Sequence, residues 1–387
     1  MYTIKKLNHI SEAGRRALPE DQYLLAEEVA DPDAILVRST PLHDMVFGEN
    51  LKAIFRVGAG TNTIPVERCT ENGIAVFNTP GGNANAVKEL TIAAIISVMR
   101  NVEAASAWVR SLGEEAEAGK AVEQGKETFR GPELMGKRIG ILGVGAIGSR
   151  MARICDDFGM EVLGYDPYLP HLRRLELGQY LRFVDDVNEL YESCDIVTVH
   201  IPLNEQNKKF VGREAIAKMK QGVYLINYAR GGVVDNEAIV EALDAGKIKA
   251  YATDFPTVAQ LSHPKVFCTP HLASGTPEAE ENCAMMAVRQ ARDYLENGNV
   301  TNSVNFPDVS FARAEGDRIT ILHHNKVGML GVITDRTAGM GLNIENLVNK
   351  ARGEVAYTIL DFNEAVPEAL EKALSEIEGV IRVRVIH

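Results

Sequence analysis

The chain lacks an excess of basic residues, a disulfide framework and any membrane-length apolar run, and each absence narrows what it can do. Its 387 residues carry 41 Lys and Arg against 53 Asp and Glu, a net charge of −12. Nucleic acid and anionic membrane surfaces both need a basic face, so neither is expected as the main partner. A local basic pocket for an anionic substrate stays open. The five cysteines, at 69, 155, 194, 268 and 283, are odd in number and show no C-x-x-C or Cys/His ligand spacing. They read as reduced thiols filling small apolar spaces, with no disulfide and no metal site. No run approaches the roughly eighteen apolar residues of a membrane span, and the first six residues, Met-Tyr-Thr-Ile-Lys-Lys, lack a signal-peptide apolar region. A cytoplasmic protein is the expectation. The length exceeds what one core organises, so two or three domains are expected.

What is present is most specific at residues 137–148, Lys-Arg-Ile-Gly-Ile-Leu-Gly-Val-Gly-Ala-Ile-Gly. An apolar strand-like run feeds Gly143, Gly145 and Gly148 in G-x-G-x-x-G spacing, and a helical pattern follows. A second apolar run, 161–165, ends in Asp166, eighteen residues past Gly148. Gly143 permits a tight turn, Gly145 lets backbone approach a pyrophosphate, and Gly148 lets helix pack on strand. The helix N-terminus offers free N–H groups to phosphate. Asp166 can accept hydrogen bonds from a ribose 2′-hydroxyl and repels a 2′-phosphate, which favours NAD over NADP. The passage reads as a dinucleotide site.

Strand-like runs at 2–7, 34–38, 52–57 and 74–78, with a helical pattern at 85–99, give a first open α/β unit without a glycine loop of its own. Residues 101–130 read as helix plus a polar connector centred on 113–120. Strands then recur at 138–142, 161–165, 195–200, 223–227, 249–254 and 266–269, the six-strand rhythm of a doubly wound nucleotide-binding fold. A helical pattern at 277–297 should cross back to the first unit, and 298–316 reads as a linker. The last residues follow a β-α-β-β-α-β order, the split pattern of a ferredoxin-like sandwich. The fold class expected is therefore α/β, two doubly wound Rossmann-like domains plus a C-terminal ferredoxin-like α+β domain. Four further passages place polar groups near strand ends: Arg56-Val-Gly-Ala-Gly-Thr-Asn62, Asn78-Thr-Pro-Gly-Gly-Asn83, Asn227-Tyr-Ala-Arg-Gly-Gly-Val-Val-Asp235 and Thr269-Pro-His-Leu-Ala-Ser-Gly275. Arg230 and His271 each follow a strand, where ligands lie in doubly wound sheets.

In their shared order these passages resemble the D-2-hydroxyacid dehydrogenase family, and within it the members that act on 3-phosphoglycerate. The resemblance covers nearly the whole chain. It implies a discontinuous substrate domain, 1–97 with 284–305, an NAD domain at 98–283, and a C-terminal ACT regulatory domain at 317–387. It implies that Arg230 holds the substrate carboxylate and that His271 is the acid/base. Gly58, Ala59 and Gly60 become the carboxylate loop, joined by Asn83, with Arg56 and Arg38 facing a phosphate. Ala146 and Ile147 become pyrophosphate contacts, His200 and Ile201 lie near the adenine half, Tyr228 and Ala229 line the cofactor, and Asp254 holds the nicotinamide amide. His323, Asn325 and Asn343 become effector contacts for L-serine, with homo-oligomers expected. A dehydrogenase for another D-2-hydroxy acid, or an NAD-sensing homologue without turnover, are the alternatives. The chain departs from the family in one place. About five residues after the aspartate the family carries a glutamate that supports the histidine, whereas here Asp254-Phe-Pro-Thr-Val-Ala-Gln-Leu261 has no acid, with Ala259 or a neighbour at that position. Glu278 and Glu280 are the nearby acids that could substitute.

Overall fold

Short Val/Ile/Ala-rich runs bounded by Gly, Pro and Asn build two parallel sheets whose inner strands are largely buried, because helices cover both faces. The computed structural model describes residues 1–113 and 118–387, so the middle of the polar connector read at 113–120 lies outside the described residues. The chain forms two compact units, Met1–Asn83 with Pro277–His387, and Ala84–Thr276.

In the first unit β1 (Tyr2–Lys6), β2 (Tyr23–Ala26), β3 (Ala34–Val37), β4 (Ala53–Arg56) and β5 (Ala75–Phe77) form a parallel sheet of order β2-β1-β3-β4-β5. Sequence reasoning missed β2, a four-residue edge strand in which only Tyr23 is buried. The helix Pro277–Asn297 lays Ala284, Ala287, Val288, Ala291 and Tyr294 into the core of this sheet.

In the second unit β6 (Arg138–Leu142), β7 (Glu161–Tyr165), β8 (Arg182–Phe183), β9 (Ile196–Val199), β10 (Val223–Asn227), β11 (Ile248–Thr253) and β12 (Val266–Cys268) form a parallel sheet of order β12-β11-β10-β9-β6-β7-β8. The six strands expected are joined by the two-residue edge strand β8, too short to leave a periodic signal. Strand order reverses between β6 and β9, which opens a crevice beyond their carboxyl ends. Among the described residues no single helix is long and apolar enough to cross a membrane.

The C-terminal part is antiparallel. Strands β13 (Arg318–His324), β14 (Asn346–Arg352), β15 (Val355–Asp361) and β16 (Val380–Ile386) lie in the order β14-β15-β13-β16, with helices Met329–Ala338 and Glu368–Ser375 between them. This is the ferredoxin-like arrangement. Ile319, Ile321, Ile333, Leu360 and Leu370 form the core beneath the two helices. The opposite face is also covered. Leu322, Tyr357 and Ile359 join the core that contains Tyr294, Leu295, Val300, Phe306 and Val309. The stretch 298–316 is therefore packed rather than loose: Val300 and Val309 form an antiparallel bridge, and Phe306 is fully buried.

A fully buried ion pair fastens this junction. The Arg318 guanidinium donates to Asp361 through Nε (2.6 Å) and Nη2 (2.9 Å), and to the carbonyls of Asn297 (2.8 Å) and Ala312 (3.1 Å). It also lies over the Phe311 ring, 4.4 Å from the centroid. Tyr357 donates to the Gly298 carbonyl at 2.6 Å. Arginine's fixed fork of donors suits such a many-carbonyl anchor.

Candidate active site

The glycine loop is shaped by what its neighbours leave no room for. Gly143 sits at φ +88°, and a Cβ there would come within 2.8 Å of the His200 carbonyl. A Cβ on Gly148 would stand 2.0 Å from the Gly143 carbonyl, so only glycine lets the helix Gly148–Asp157 start this close to β6. Gly145 differs, since nothing within 4 Å faces it. With Ala146 exposed beside it, the loop leaves open space at the helix N-terminus. This cradle fits a pyrophosphate. Ile147 is half-buried beneath it.

Asp166, one residue beyond β7, uses its carboxylate to hold the same loop. Oδ2 accepts the Val144 N–H at 2.9 Å, and Oδ1 accepts the Tyr168 N–H at 3.1 Å. A carboxylate has about four acceptor positions, so two remain for ribose hydroxyls. Opposite, the His200 main chain donates to the Leu142 carbonyl at 2.7 Å, and Ile201 packs against Gly143. The His200 ring shares a 2.9 Å hydrogen bond with Thr198 through Nε2, while Nδ1 is shielded from solvent and without a partner.

Burial disfavours the charged ring and lowers the His200 pKa to about 3. The unfolded chain takes up this proton below about pH 6.5, whereas the native ring stays neutral until about pH 3. Stability is complete above that window and falls as pH drops through it. Lowering pH from 7 to 5 should therefore cost up to about 2 kcal/mol at this residue. Thermal melts of His200→Gln should show a flatter loss between these pH values, and equal slopes for the two proteins would refute the assignment.

The chemistry-bearing side chains follow three adjacent strands in register, with Asn227 beside Thr253 and Thr253 beside Cys268. Arg230, Asp254 and His271 are thus brought to one end of the sheet. Asn227, fully buried, shapes the first turn: it accepts the Ala229 N–H (3.1 Å) and donates to the Arg230 carbonyl (3.0 Å). Arg230 donates to the Ala229 carbonyl and keeps most of its guanidinium donors for a ligand. Tyr228 is buried, and burial pushes its hydroxyl up to about 12. His271 has φ +46°, a left-handed conformation uncommon for non-glycine residues. Its exposed ring lies 4.7 Å from that of Phe255.

The segment where the family carries its glutamate forms a short helix, Val258–Leu261, capped by Thr257 and Gln260. Gln260 is buried and donates to Asn236 at 3.1 Å, while Val258 is 86% exposed and Ala259 is also exposed, so no acid occupies the position. Glu280 is engaged elsewhere, in a 2.5 Å ion pair with Arg38.

In the first unit Gly58 has φ +137° and a Cβ there would fall on the Arg56 guanidinium, so this arginine folds directly over the loop 58–60. Arg56 Nη1 donates to the Val57 carbonyl at 3.0 Å. Two neighbours that sequence reasoning did not assign hold the loop. Buried Thr79 accepts the Gly58 N–H at 2.7 Å, and Asn78 donates to the Ala59 carbonyl at 2.7 Å. The N-T-P motif was the available signal. Gly60 and Asn83 are half-buried at the edges of the two passages.

The three effector candidates separate. Asn325 and Asn343 are exposed, donating to the Gly353 carbonyl (3.2 Å) and to Glu345 (3.0 Å). His323 is 2% exposed, and burial lowers its pKa. Nδ1 lies 2.9 Å from the His324 carbonyl, which can only accept, so the neutral ring carries its proton there. Nε2 lies 2.8 Å from the Thr358 hydroxyl, which in turn bonds Asn349 Oδ1 at 2.8 Å, so both ring nitrogens are engaged.

Residues 92–273 match the family model "D-isomer specific 2-hydroxyacid dehydrogenase, NAD binding domain". A D-3-phosphoglycerate dehydrogenase of Haemophilus influenzae is 33% identical over 389 residues, covering 96% of this chain and 90% of that protein. One of Methanocaldococcus jannaschii is 36% identical over 294 residues, 74% of this chain, and this chain spans only 54% of its length. The structure of an NAD+-bound 3-phosphoglycerate dehydrogenase of Entamoeba histolytica superimposes with a TM-score of 0.62 at 27% identity, over 79% of this chain and 98% of that one. With the glycine cradle and the Arg230–Asp254–His271 end of the sheet in place, the chain belongs to the D-isomer specific 2-hydroxyacid dehydrogenases, a family of NAD-dependent enzymes, and its cofactor is NAD.

Proposed function

We propose that the chain oxidises D-3-phosphoglycerate at C2 to 3-phosphohydroxypyruvate, the first step toward L-serine. The observation that carries this reading is the H. influenzae match, which runs through 96% of the chain and so includes the C-terminal antiparallel sandwich. Arg230 holds the carboxylate and polarises the C2 oxygen through charge-assisted hydrogen bonds. Neutral His271 takes the hydroxyl proton as the carbonyl forms. NAD, when bound, supplies the hydride acceptor. Ala59 and Gly60 offer N–H groups to the carboxylate beside Gly58, whose own N–H is held by Thr79, and Arg56 and the Glu280-paired Arg38 supply positive charge for the phosphate. L-Serine is the effector in this reading, met at the surface by Asn325 and Asn343, while His323 braces the strand beneath. The protein works as a homo-oligomer in the cytoplasm.

Initial rates on a panel of 2-hydroxy acids test the substrate. D-3-Phosphoglycerate should give the highest kcat/KM, and a higher value for an unphosphorylated hydroxy acid would move the protein to another branch of the family. Asp166→Ala should weaken NAD about 10-fold, as expected for lost hydrogen bonds to a charged group, and should narrow the preference over NADP. Equal use of both cofactors by the unaltered protein would remove Asp166 from the ribose site.

A further inference from the structure

The acid that should support His271 is missing from the loop after β11, yet the turn carrying His271 is tied at both ends to one residue. Asp254 accepts the His271 N–H with its main-chain carbonyl at 3.1 Å. It accepts the Ala273 N–H with carboxylate Oδ2, also at 3.1 Å. The left-handed conformation at His271 is costly for a non-glycine residue and persists only where surroundings enforce it. These two bonds bracket it. The Asp254 side chain is 3% exposed, and its second oxygen, Oδ1, is buried without a partner. A buried carboxylate oxygen left unpaired is costly and marks a place where a charge partner is expected. Burial raises the Asp254 pKa, and the Ala273 N–H together with the charges of His271 and Arg230 oppose that rise.

We propose that Asp254 is the positioning carboxylate of His271, replacing from the end of β11 the glutamate that the following loop lacks. Its main chain and Oδ2 fix the turn that presents the imidazole. Its negative charge stabilises the ring once the substrate proton has arrived, as the buried aspartate does in a Ser-His-Asp triad. The loop after β11 is thereby freed from catalysis, in keeping with the exposed Val258 and Ala259 found there. The inference rests on His271 being the acid/base of a hydroxyacid oxidation. It does not depend on which hydroxy acid is the substrate.

The experiment is a double-mutant cycle on the full chain, assayed with whichever 2-hydroxy acid the unaltered protein turns over. Asp254→Asn keeps an oxygen for the Ala273 N–H but removes the charge. It should lower kcat by about 100-fold or more, as loss of an orienting carboxylate does elsewhere. NAD binding, followed by fluorescence titration, should change by no more than about threefold, which also reports that the variant is folded. In the His271→Ala background the same change should have no further effect on kcat beyond about twofold, because the two residues act as one unit. Three results would overturn the proposal: near-normal kcat in Asp254→Asn, weakened NAD binding with kcat intact at saturation, or an undiminished effect in the His271→Ala background. The second would assign the carboxylate to the nicotinamide amide instead. A protein inactive on 3-phosphoglycerate but active on another hydroxy acid would refute only the substrate reading.

Discussion

His271→Ala should lower kcat by about 10²–10⁴-fold, the usual worth of a positioned acid/base. The substrate KM should move little, because the ring gains its interaction only as the proton transfers. Arg230→Ala should behave differently. In the proposed reading that guanidinium meets the carboxylate in both ground and transition states, so KM should rise and kcat fall together. The contrast follows from the fold: both residues stand beyond in-register parallel strands, but Arg230 is seated by the Asn227 amide and His271 is exposed on a strained turn. Steady-state rates at saturating NAD separate the two. Turnover within tenfold of normal in His271→Ala would show that another group moves the proton.

The second large effect is structural. Asp361→Ala should destabilise the first unit by about 3–5 kcal/mol, because it leaves the Arg318 charge buried and unpaired. Both side chains are essentially inaccessible, at 0% and 1%, so water does not take the carboxylate's place. Replacing the pair together, as Arg318→Met with Asp361→Leu, should cost far less, since no lone charge remains. Urea titration of the three proteins gives the comparison. A single variant as stable as the double one would mean that the guanidinium finds enough support in the carbonyls of Asn297 and Ala312 alone.

The parts of this molecule legible in the sequence are those written locally. The glycine spacing and the acid at 166 encode a turn, a cradle and an acceptor within thirty residues of one another, and the structure forms all three. Strand ends carrying Arg230 and His271 were readable because a doubly wound sheet places its ligands there. Partnerships between distant segments were not readable. Nothing in the run Asp254-Phe-Pro shows that its first side chain will catch the Ala273 N–H nineteen residues later. His323 sits in a His-His-Asn passage that carries no sign of burial in the sequence. Its strand is buried on both faces, by its own helices and by the core around the helix Pro277–Asn297, which turns the ring inward onto Thr358. Edge strands β2 and β8 escaped because short, one-sided pairing imposes no periodicity on the residues.

The core shared between the antiparallel sandwich and the helix Pro277–Asn297 bears on inheritance and engineering. Regulatory modules are commonly imagined as cassettes that recombination can add or remove at a connector. Here the connector's carbonyls are the very acceptors that Arg318 and Tyr357 need, and its Val300, Phe306 and Val309 are packing partners of Leu322 and Ile359. A cut between 298 and 316 would strand polar groups on one side and bare apolar surface on the other. A transplantable C-terminal segment would have to start before Asn297 and bring its own docking helix. Change in this part of the chain would therefore come more readily through side chains within the sandwich than through trading it whole.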